Sequence, residues 1–315
     1  MKSSLPMLYG ILASFFFSFS FIMNRAMELS GGYWIWSASL RYLFMLPILL
    51  VIVMIRGNLR VLLTHMQKQL WTWMGWSLVG FGLFYVPLCF SAAYGPGWLI
   101  AASWQVTIVA GSLLAPLFSK VIVTTDGPIR MKEPIPVKGL LMSLIILFGV
   151  VIIQLEHASL LSFNDVLLGL IPVILAAFAY PLGNRKMMEV CEGRLDAYQR
   201  VLGMTLASLP LWILLSIYAL FYAGTPSAGQ IGQSAIVAIC SGVIATVLFF
   251  SATDMVKGSV NQLAAVEATQ AGEIIFAVGG ELVLLTAAFP SALSWIGMIC
   301  VVLGMIFHSL MSEKR

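Results

Sequence analysis

The sequence predicts an all-α integral membrane protein, and both its composition and its recurring apolar runs support this prediction. Of its 315 residues, 60% are hydrophobic and 10% are charged, and the mean hydropathy is +0.99. Soluble domains carry about 25% charged residues. Here apolar runs of about 20 residues, the length that crosses a bilayer as a helix, recur with only brief polar breaks. We therefore expect a multi-pass protein of the cell membrane, with the lipid bilayer as its main partner.

The apolar runs divide into ten predicted transmembrane helices. Each is about as long as the hydrocarbon core requires, at a rise of about 1.5 Å per residue. The join between the sixth and seventh helices is the most polar, because Glu189, Glu192, Arg194 and Asp196 crowd it. The predicted ranges are 6–27, 33–55, 71–94, 98–119, 136–154, 165–187, 197–222, 229–252, 259–283 and 291–311.

Lysine and arginine collect in alternate joins between these helices. Membrane proteins concentrate these two residues in short cytoplasmic loops. The intervening joins, such as 31–32, 95–97 and 223–229, hold almost none. Both termini are therefore predicted to face the cytoplasm. The joins assigned to that side contain Lys2; Arg56, Arg60 and Lys68; Lys120, Arg130, Lys132 and Lys138; Lys186 and Arg194; Lys257; and Lys314 with Arg315.

Neither a metal site nor a nucleic-acid interface is predicted. The four cysteines are isolated and the three histidines are scattered, so the sequence has no ligand spacing typical of zinc. The net charge of +4 comes from basic residues that fall singly between apolar runs. We therefore expect no cofactor and no nucleic-acid partner. The cysteines and histidines are Cys89, Cys191, Cys240, Cys300, His65, His157 and His308.

The chain is predicted to be a duplication of one five-helix unit. The segments FIMNRAME (21–28) and YPLGNRKMME (180–189) share Asn-Arg-x-Met. The segments FSAAY (90–94) and FSATD (250–254) share Phe-Ser-Ala, and both pairs are offset by 160 residues. Because five is an odd number, the second copy enters the membrane from the opposite side, which makes an inverted repeat. The predicted halves are residues 1–157 and 158–315.

These features resemble the drug/metabolite transporter superfamily. The resemblance rests on the five-plus-five arrangement, on the Asn-Arg at the end of the first helix of each half, and on fifth and tenth helices of the form GLLMSLIILFGVVII (139–153). It covers nearly the whole chain and is strongest for the multidrug resistance efflux transporter family, which is related to the EamA-like permeases. The resemblance implies a central cavity lined by helices one to four and six to nine. The small four-helix pumps of the superfamily carry an essential Glu in the first helix; the first helix predicted here has none, so that proton site is not carried over.

The ninth predicted helix carries polar side chains that are costly when they face lipid. Gln262, Thr269 and Glu273 share one helical face at about 100° per residue, and Gln270 and Glu267 lie beside that face. A carboxylate near the bilayer centre is unfavourable unless it is paired, protonated or hydrated. We therefore predict that these residues line the cavity and bind substrate and protons. The alternative is that either acid forms a static ion pair with an arginine.

Five further residues complete the predicted site. Arg41 lies well inside the second helix and needs a partner or water, whereas Arg25 either pairs with an acid or extends to the interface. Trp104 offers an aromatic face to an organic cation, although packing is its alternative role. Gln105 lies in the fourth helix at the position where the ninth helix has an acid, and Asn24 belongs to the repeated Asn-Arg motif.

The favoured hypothesis is a secondary active transporter, an antiporter that exports small organic compounds, including cations, in exchange for protons. A low-dielectric cavity favours the neutral form of Glu267 and Glu273, so a proton and a cationic substrate can compete for each carboxylate. A permease that imports a metabolite such as an amino acid or nucleoside, with Arg41 and Arg25 binding an anionic group, is the alternative. A membrane enzyme or scaffold is a further alternative, but the sequence shows no catalytic constellation and no phosphate-binding loop. We expect a monomer or a homodimer.

Overall fold

The computed structural model of the protein describes residues 4–124, 127–132, 134–135, 137–158 and 163–313. Within these ranges the chain forms eleven helices and one β-hairpin, when helical pieces joined by helical dihedral angles are counted together. In chain order the helices are α1 (Leu5–Leu29), α2 (Trp34–Ile55), α3 (Leu59–Lys68), α4 (Leu70–Ser91), α5 (Gly97–Leu113), α6 (Val137–Ala158), α7 (Phe163–Cys191), α8 (Ala197–Ala223), α9 (Ala228–Met255), α10 (260–284) and α11 (Ala292–Glu313).

A helix lies at each of the ten predicted ranges, and α3 is an additional short helix between the second and third of them. Among the described residues, six helices (α1, α2, α4, α7, α8 and α9) are long and apolar enough to cross a membrane. Shorter apolar helices occupy 97–113, 140–155 and 292–307. The prediction of a helical, multi-pass membrane protein is confirmed, and the count of ten spans stays a prediction.

The join after α5 is the exception to the all-α prediction. The fourth span was expected to reach residue 119, but α5 ends at Leu113 and is followed by a 3₁₀ turn, Ala115–Leu117. Strands β1 (Ser119–Thr124) and β2 (Gly127–Lys132) then pair antiparallel. Pro116 cannot supply a backbone N–H to a continuing helix, and the β-branched run of β1 favours a strand.

The polar join between α7 and α8 is set by a capping box. Asp196 Oδ1 accepts a hydrogen bond from the backbone N–H of Gln199 at 2.8 Å, and Gln199 Oε1 accepts one from the backbone N–H of Asp196 at 2.9 Å. These bonds satisfy two N–H groups that a helix start leaves free. The crowded charges of this join therefore mark the start of α8.

The joins form two groups at opposite ends of the helices. Gln230 Nε2 donates to the carbonyl oxygen of Tyr33 at 2.9 Å at one end of α2, and Arg56 Nη2 donates to Asp196 Oδ2 at 3.0 Å at its other end. This grouping follows the alternation of basic residues in the sequence, so we name the ends after it. The basic-poor end contains joins 30–33, 92–96, 224–227 and 285–291, and the basic-rich end contains joins 56–58, 192–196 and 256–259.

Helices of the two predicted halves pack on each other. α1 packs against α9 and α10, and α7 packs against α4 and α5. α2 packs against α8, where the rings of Tyr42 and Trp212 stack with centroids 4.1 Å apart. α6 packs against α11 through glycines, since a Cβ added at Gly149 would lie 2.5 Å from the carbonyl oxygen of Gly297. One hydrophobic core therefore spans both halves.

Several core helices depart from regular α-helical geometry. α4 contains a π-helical segment, Leu78–Gly82, and α9 contains another, Ala238–Ala245. α5 is interrupted at Gln105, and α10 contains a 3₁₀ turn, Thr269–Ala271. These last two interruptions meet, because Gln105 Nε2 donates to the carbonyl oxygen of Gln270 at 3.2 Å. Such interruptions are frequent at functional sites.

Candidate functional site

A cavity of about 240 Å³, which we call the central cavity, lies beside the interruptions of α5 and α10. Helices α1, α4, α5, α7 and α10 each contribute side chains to its wall, so it lies between the two predicted halves. Its volume is just below the usual range for small-molecule sites, about 300–1,000 Å³. The lining residues are Phe17, Ser20, Phe21, Phe84, Leu88, Trp104, Tyr180, Gln270 and Glu273.

Aromatic rings form much of this wall. The ring centroids of Phe84 and Tyr180 are 4.6 Å apart, those of Phe84 and Trp104 are 5.1 Å apart, and those of Trp104 and Tyr180 are 5.7 Å apart. Phe17 extends the cluster, with its centroid 6.3 Å from that of Tyr180. The faces of such rings attract cations, most strongly where water is excluded. The predicted aromatic role of Trp104 therefore has a matching environment.

Three polar atoms of the cavity residues have no hydrogen-bond partner within the described part of the chain. They are Glu273 Oε2, Gln270 Nε2 and the Tyr180 hydroxyl. Glu273 and Gln270 are 1% and 2% exposed, so bulk water does not reach them in this arrangement. Buried polar atoms are normally hydrogen-bonded, and leaving one unpartnered is costly. These atoms are therefore well suited to bind a ligand that enters the cavity.

Glu267 lies apart from the central cavity in a buried ion pair. Arg185 of α7 donates to its carboxylate from Nε at 3.1 Å and from Nη2 at 2.7 Å, and from Nη1 to the carbonyl oxygen of Gly111 at 2.7 Å. Both side chains of the pair are almost completely buried. Gly111 allows this approach, because a Cβ there would collide with Glu267 Oε2. The arginine that pairs with this acid is thus neither Arg25 nor Arg41.

Arg41 is 1% exposed and has no carboxylate within 4.0 Å among the described residues. Its guanidinium lies over the ring of Tyr85, with Cζ 4.0 Å from the centroid, and 5.9 Å from the centroid of Phe84. Nη1 donates to Ser20 Oγ at 3.4 Å, and Nε has no partner in the described structure. The predicted need for a partner is met by aromatic faces, and Ser20 and Phe84 separate the charge from the central cavity.

Arg25 and Asn24 do not line the central cavity. Arg25 borders a larger cavity of about 1080 Å³ at the basic-poor end, which we call the vestibule, and its Nη1 donates to the carbonyl oxygen of Ala92 at 3.2 Å. Asn24 Oδ1 accepts a hydrogen bond from the Tyr85 hydroxyl at 3.3 Å. Asn24 therefore orients the ring on which the Arg41 guanidinium rests.

The remaining predicted residues have local roles in the structure. Gln105 is fully buried, and its Nε2 donates to the carbonyl oxygen of Ala101 at 2.9 Å in addition to its bond across to α10. Thr269 Oγ1 donates to the carbonyl oxygen of Val266 at 2.7 Å, within its own helix. Gln262 is half-buried near the start of α10, away from the central cavity. Of the ten predicted site residues, Glu273, Gln270 and Trp104 line the central cavity.

Sequence reasoning missed Tyr180 and Phe84 in the cavity wall, Arg185 as the partner of Glu267, and Glu281 at the vestibule. Glu281 Oε1 accepts a hydrogen bond from the backbone N–H of Gly97 at 2.6 Å and so caps α5. Depth along the helices carried a signal for the ion pair. Arg185 lies six residues before the end of α7, and Glu267 lies seven residues after the start of α10, at the same basic-rich end.

Comparisons with known proteins agree with this architecture. The chain is 56% identical over 306 residues to "Uncharacterized protein YjlA" of Bacillus subtilis (strain 168), covering 97% of this chain and 94% of that protein. It is 52% identical over 267 residues to "Uncharacterized 42.1 kDa protein in intracellular alkaline protease 3'region" of Shouchella clausii, covering 85% and 69%.

A solved structure described as "Crystal structure of protein" matches with a TM-score of 0.70 at 14% identity, over 99% of both chains, which shows a shared fold. Residues 4–314 match the model of the EmrE family, whose description is "Putative multidrug resistance efflux transporter". The chain therefore belongs to this family of the drug/metabolite transporter superfamily.

Proposed function

We propose that the protein is a secondary active transporter that exports small organic compounds with a cationic group in exchange for protons, and that Glu273 is the exchange site. The observation that carries this proposal is a buried carboxylate with an unpartnered oxygen in an aromatic-lined cavity. Transporters commonly place substrate sites where interrupted helices meet. The cavity of this protein lies at such a point, where Gln105 bonds to the backbone of Gln270.

Competition at Glu273 follows from charge balance. An ionised carboxylate is unfavourable in this water-poor cavity unless a positive charge accompanies it. A proton on the carboxyl or an organic cation beside it supplies that charge, and both together would leave an excess positive charge. Aromatic faces of Trp104 and Tyr180 add cation–π attraction for the organic cation. Binding of one species therefore displaces the other, which is the requirement for antiport.

Alternating access is the second part of the proposal. Each half is proposed to be one copy of an inverted five-helix repeat, and helix packing supports this: α1 packs on α9 and α10, whereas α7 packs on α4 and α5. The π-helical segments of α4 and α9 begin 160 residues apart, the same offset as the repeated sequence motifs. Two equivalent arrangements of the halves would open the central cavity to opposite ends in turn.

Proton flux in proteoliposomes tests the proposal directly. The probe is trimethyl(2-phenylethyl)ammonium, whose permanent charge carries no proton, and the readout is a pH-sensitive dye inside the vesicles. A gradient of this cation should drive opposite proton movement with the parent protein and none with Glu273→Gln. Glu192→Gln is the matched control, because that acid is exposed and pairs only with Arg194 in the described structure. Coupled flux that survives in Glu273→Gln, or that is missing in the parent protein, would overturn the proposal.

A further inference from the structure

Arg41 presents a buried positive charge that the proposed exchange at Glu273 does not use. In the described structure no acid lies within salt-bridge distance of it, and its contacts are aromatic rings and one long hydrogen bond to Ser20. A buried charge without a counter-charge is costly even when aromatic faces surround it. This charge lies directly behind Ser20 and Phe84, two residues of the central cavity wall.

The second half of the chain shows what the usual partner of such an arginine is. Arg200, 159 residues after Arg41, is equally buried and donates to Asp254 Oδ1 at 2.5 Å. Asp254 closes the segment FSATD, and the matching residue of FSAAY in the first half is Tyr94. The first half has therefore kept the arginine without the acid that compensates it in the second half.

The central cavity thus lies between two uncompensated groups of opposite sign. Glu273 Oε2 is the free acceptor in its wall, and Arg41 is the charge behind Ser20. Two further unpartnered groups, Gln270 Nε2 and the Tyr180 hydroxyl, can donate hydrogen bonds to an anionic group. A monovalent cation would satisfy the acceptor and leave these donors and the arginine charge unmatched.

We propose that the preferred substrate is a zwitterion with an apolar or aromatic body, whose ammonium group binds at Glu273 and whose anionic group lies toward Ser20, with Arg41 behind it. This inference rests on the proposed function, since it adds a second charge to the compound that Glu273 exchanges for a proton. A ligand of this kind matches both charges and leaves no group of the wall without a partner.

The zwitterion has an electrical consequence that separates it from a simple cation. With a proton bound, Glu273 is neutral and Arg41 leaves a net charge of +1 at the site. A bound cation gives the same net charge, so exchange of one cation for one proton is electroneutral. A bound zwitterion gives zero, so exchange of one zwitterion for one proton moves one positive charge per cycle and responds to the membrane potential.

A matched set of ligands tests the inference on the purified protein. Trimethyl(2-phenylethyl)ammonium is the cation, phenylalanine betaine is the same skeleton with one added carboxylate, and 3-phenylpropionate is the anion alone. Isothermal titration should show the betaine binding at least about tenfold more tightly than the cation, as expected of a charge-assisted hydrogen bond. In vesicles, an imposed potential should change betaine flux and leave cation flux unchanged. Equal affinity for the betaine and the cation would overturn the inference.

Substitutions locate the anionic group. Arg41→Met should lower betaine affinity to that of the cation and leave cation affinity unchanged or higher, whereas Arg25→Met, the control at the vestibule, should preserve the betaine advantage. Loss of that advantage in Arg25→Met alone would place the anionic group in the vestibule and contradict the inference. Ser20→Ala provides a milder variant if Arg41→Met does not fold, and it should reduce the betaine advantage. Failure of Glu273→Gln to affect either ligand would instead refute the proposed function.

Discussion

Arg185 and Glu267 form a two-bond ion pair, with Nε 3.1 Å from Oε1 and Nη2 2.7 Å from Oε2, in the interior of the helix bundle. Six residues further along α10, Glu273 has an oxygen with no partner in the described chain and lines the central cavity. Two acids that look equivalent in the sequence therefore have different environments. The first is held by a fixed counter-charge, and the second is free to exchange its own.

Glu267→Gln should destabilise the folded protein. The substitution leaves the Arg185 guanidinium buried without a counter-charge, and breaking such a pair from one side costs about 3–5 kcal/mol. The thermal midpoint in detergent should fall well below that of the parent. The matched control is Glu192→Gln, which removes one partner of an exposed pair and should change stability by less than about 1 kcal/mol. If both variants unfold at the same temperature, the ion pair does not have the structural role assigned to it.

Tyr180→Phe should separate ligand binding from folding. The Tyr180 hydroxyl has no partner in the described part of the chain, so its removal breaks no hydrogen bond and should leave the thermal midpoint close to that of the parent. Affinity for phenylalanine betaine should fall about 2- to 10-fold through loss of one hydrogen bond to the ligand. Trp212→Phe, which alters a stack outside the cavity wall, serves as the comparison. Unchanged affinity in Tyr180→Phe would remove its hydroxyl from the site.

Gly149→Ala should weaken the packing of α6 on α11. The new Cβ would lie 2.5 Å from the carbonyl oxygen of Gly297, so the helices must separate, at a cost of about 1–3 kcal/mol. Gly75→Ala in α4 is the control, because its Cβ would meet no atom within 4 Å and alanine is the better helix former. The thermal midpoint should fall for the first variant and hold or rise for the second. The opposite order would contradict this packing.

The basic-rich end should face the cytoplasm, as the distribution of lysine and arginine predicts. Thr225 lies at the basic-poor end and Lys257 at the basic-rich end, and both are exposed. In intact cells, a membrane-impermeant maleimide should label Thr225→Cys and spare Lys257→Cys until the cells are opened. The parent protein is the control, because two of its cysteines are buried and two are half-buried. Labelling of Lys257→Cys in intact cells would reverse the predicted orientation.

Features that repeat over many residues were predictable from the sequence. A transmembrane helix is marked by about twenty successive apolar residues, so the ten ranges coincide with helices in the structure. The capping box of α8 also depends on neighbours in sequence, Asp196 and Gln199. The hairpin at 119–132 is short and lies in a polar join, where apolar periodicity carries no signal, and it was missed for that reason.

Contacts between distant helices were not predictable in the same way. The composition of α10 shows that its acids need compensation, but the choice of Arg185 over Arg25 or Arg41 depends on which helices are neighbours and on depth from the same end. The aromatic wall likewise combines Phe84, Trp104 and Tyr180 from three helices. The sequence alone identified Glu273, Gln270 and Trp104, because each combines a polar or aromatic group with a position inside an apolar run.

The central claim is that a proton and an organic cation compete for Glu273, and proton release on binding tests it most directly. Trimethyl(2-phenylethyl)ammonium is added to purified protein in weakly buffered detergent solution with a pH indicator, and released protons are counted against bound ligand. The parent protein should release up to about one proton per ligand, below the pH at which Glu273 ionises by itself. Glu267→Gln should behave like the parent if it folds, and Glu273→Gln should release none. Proton release that persists in Glu273→Gln would contradict the account.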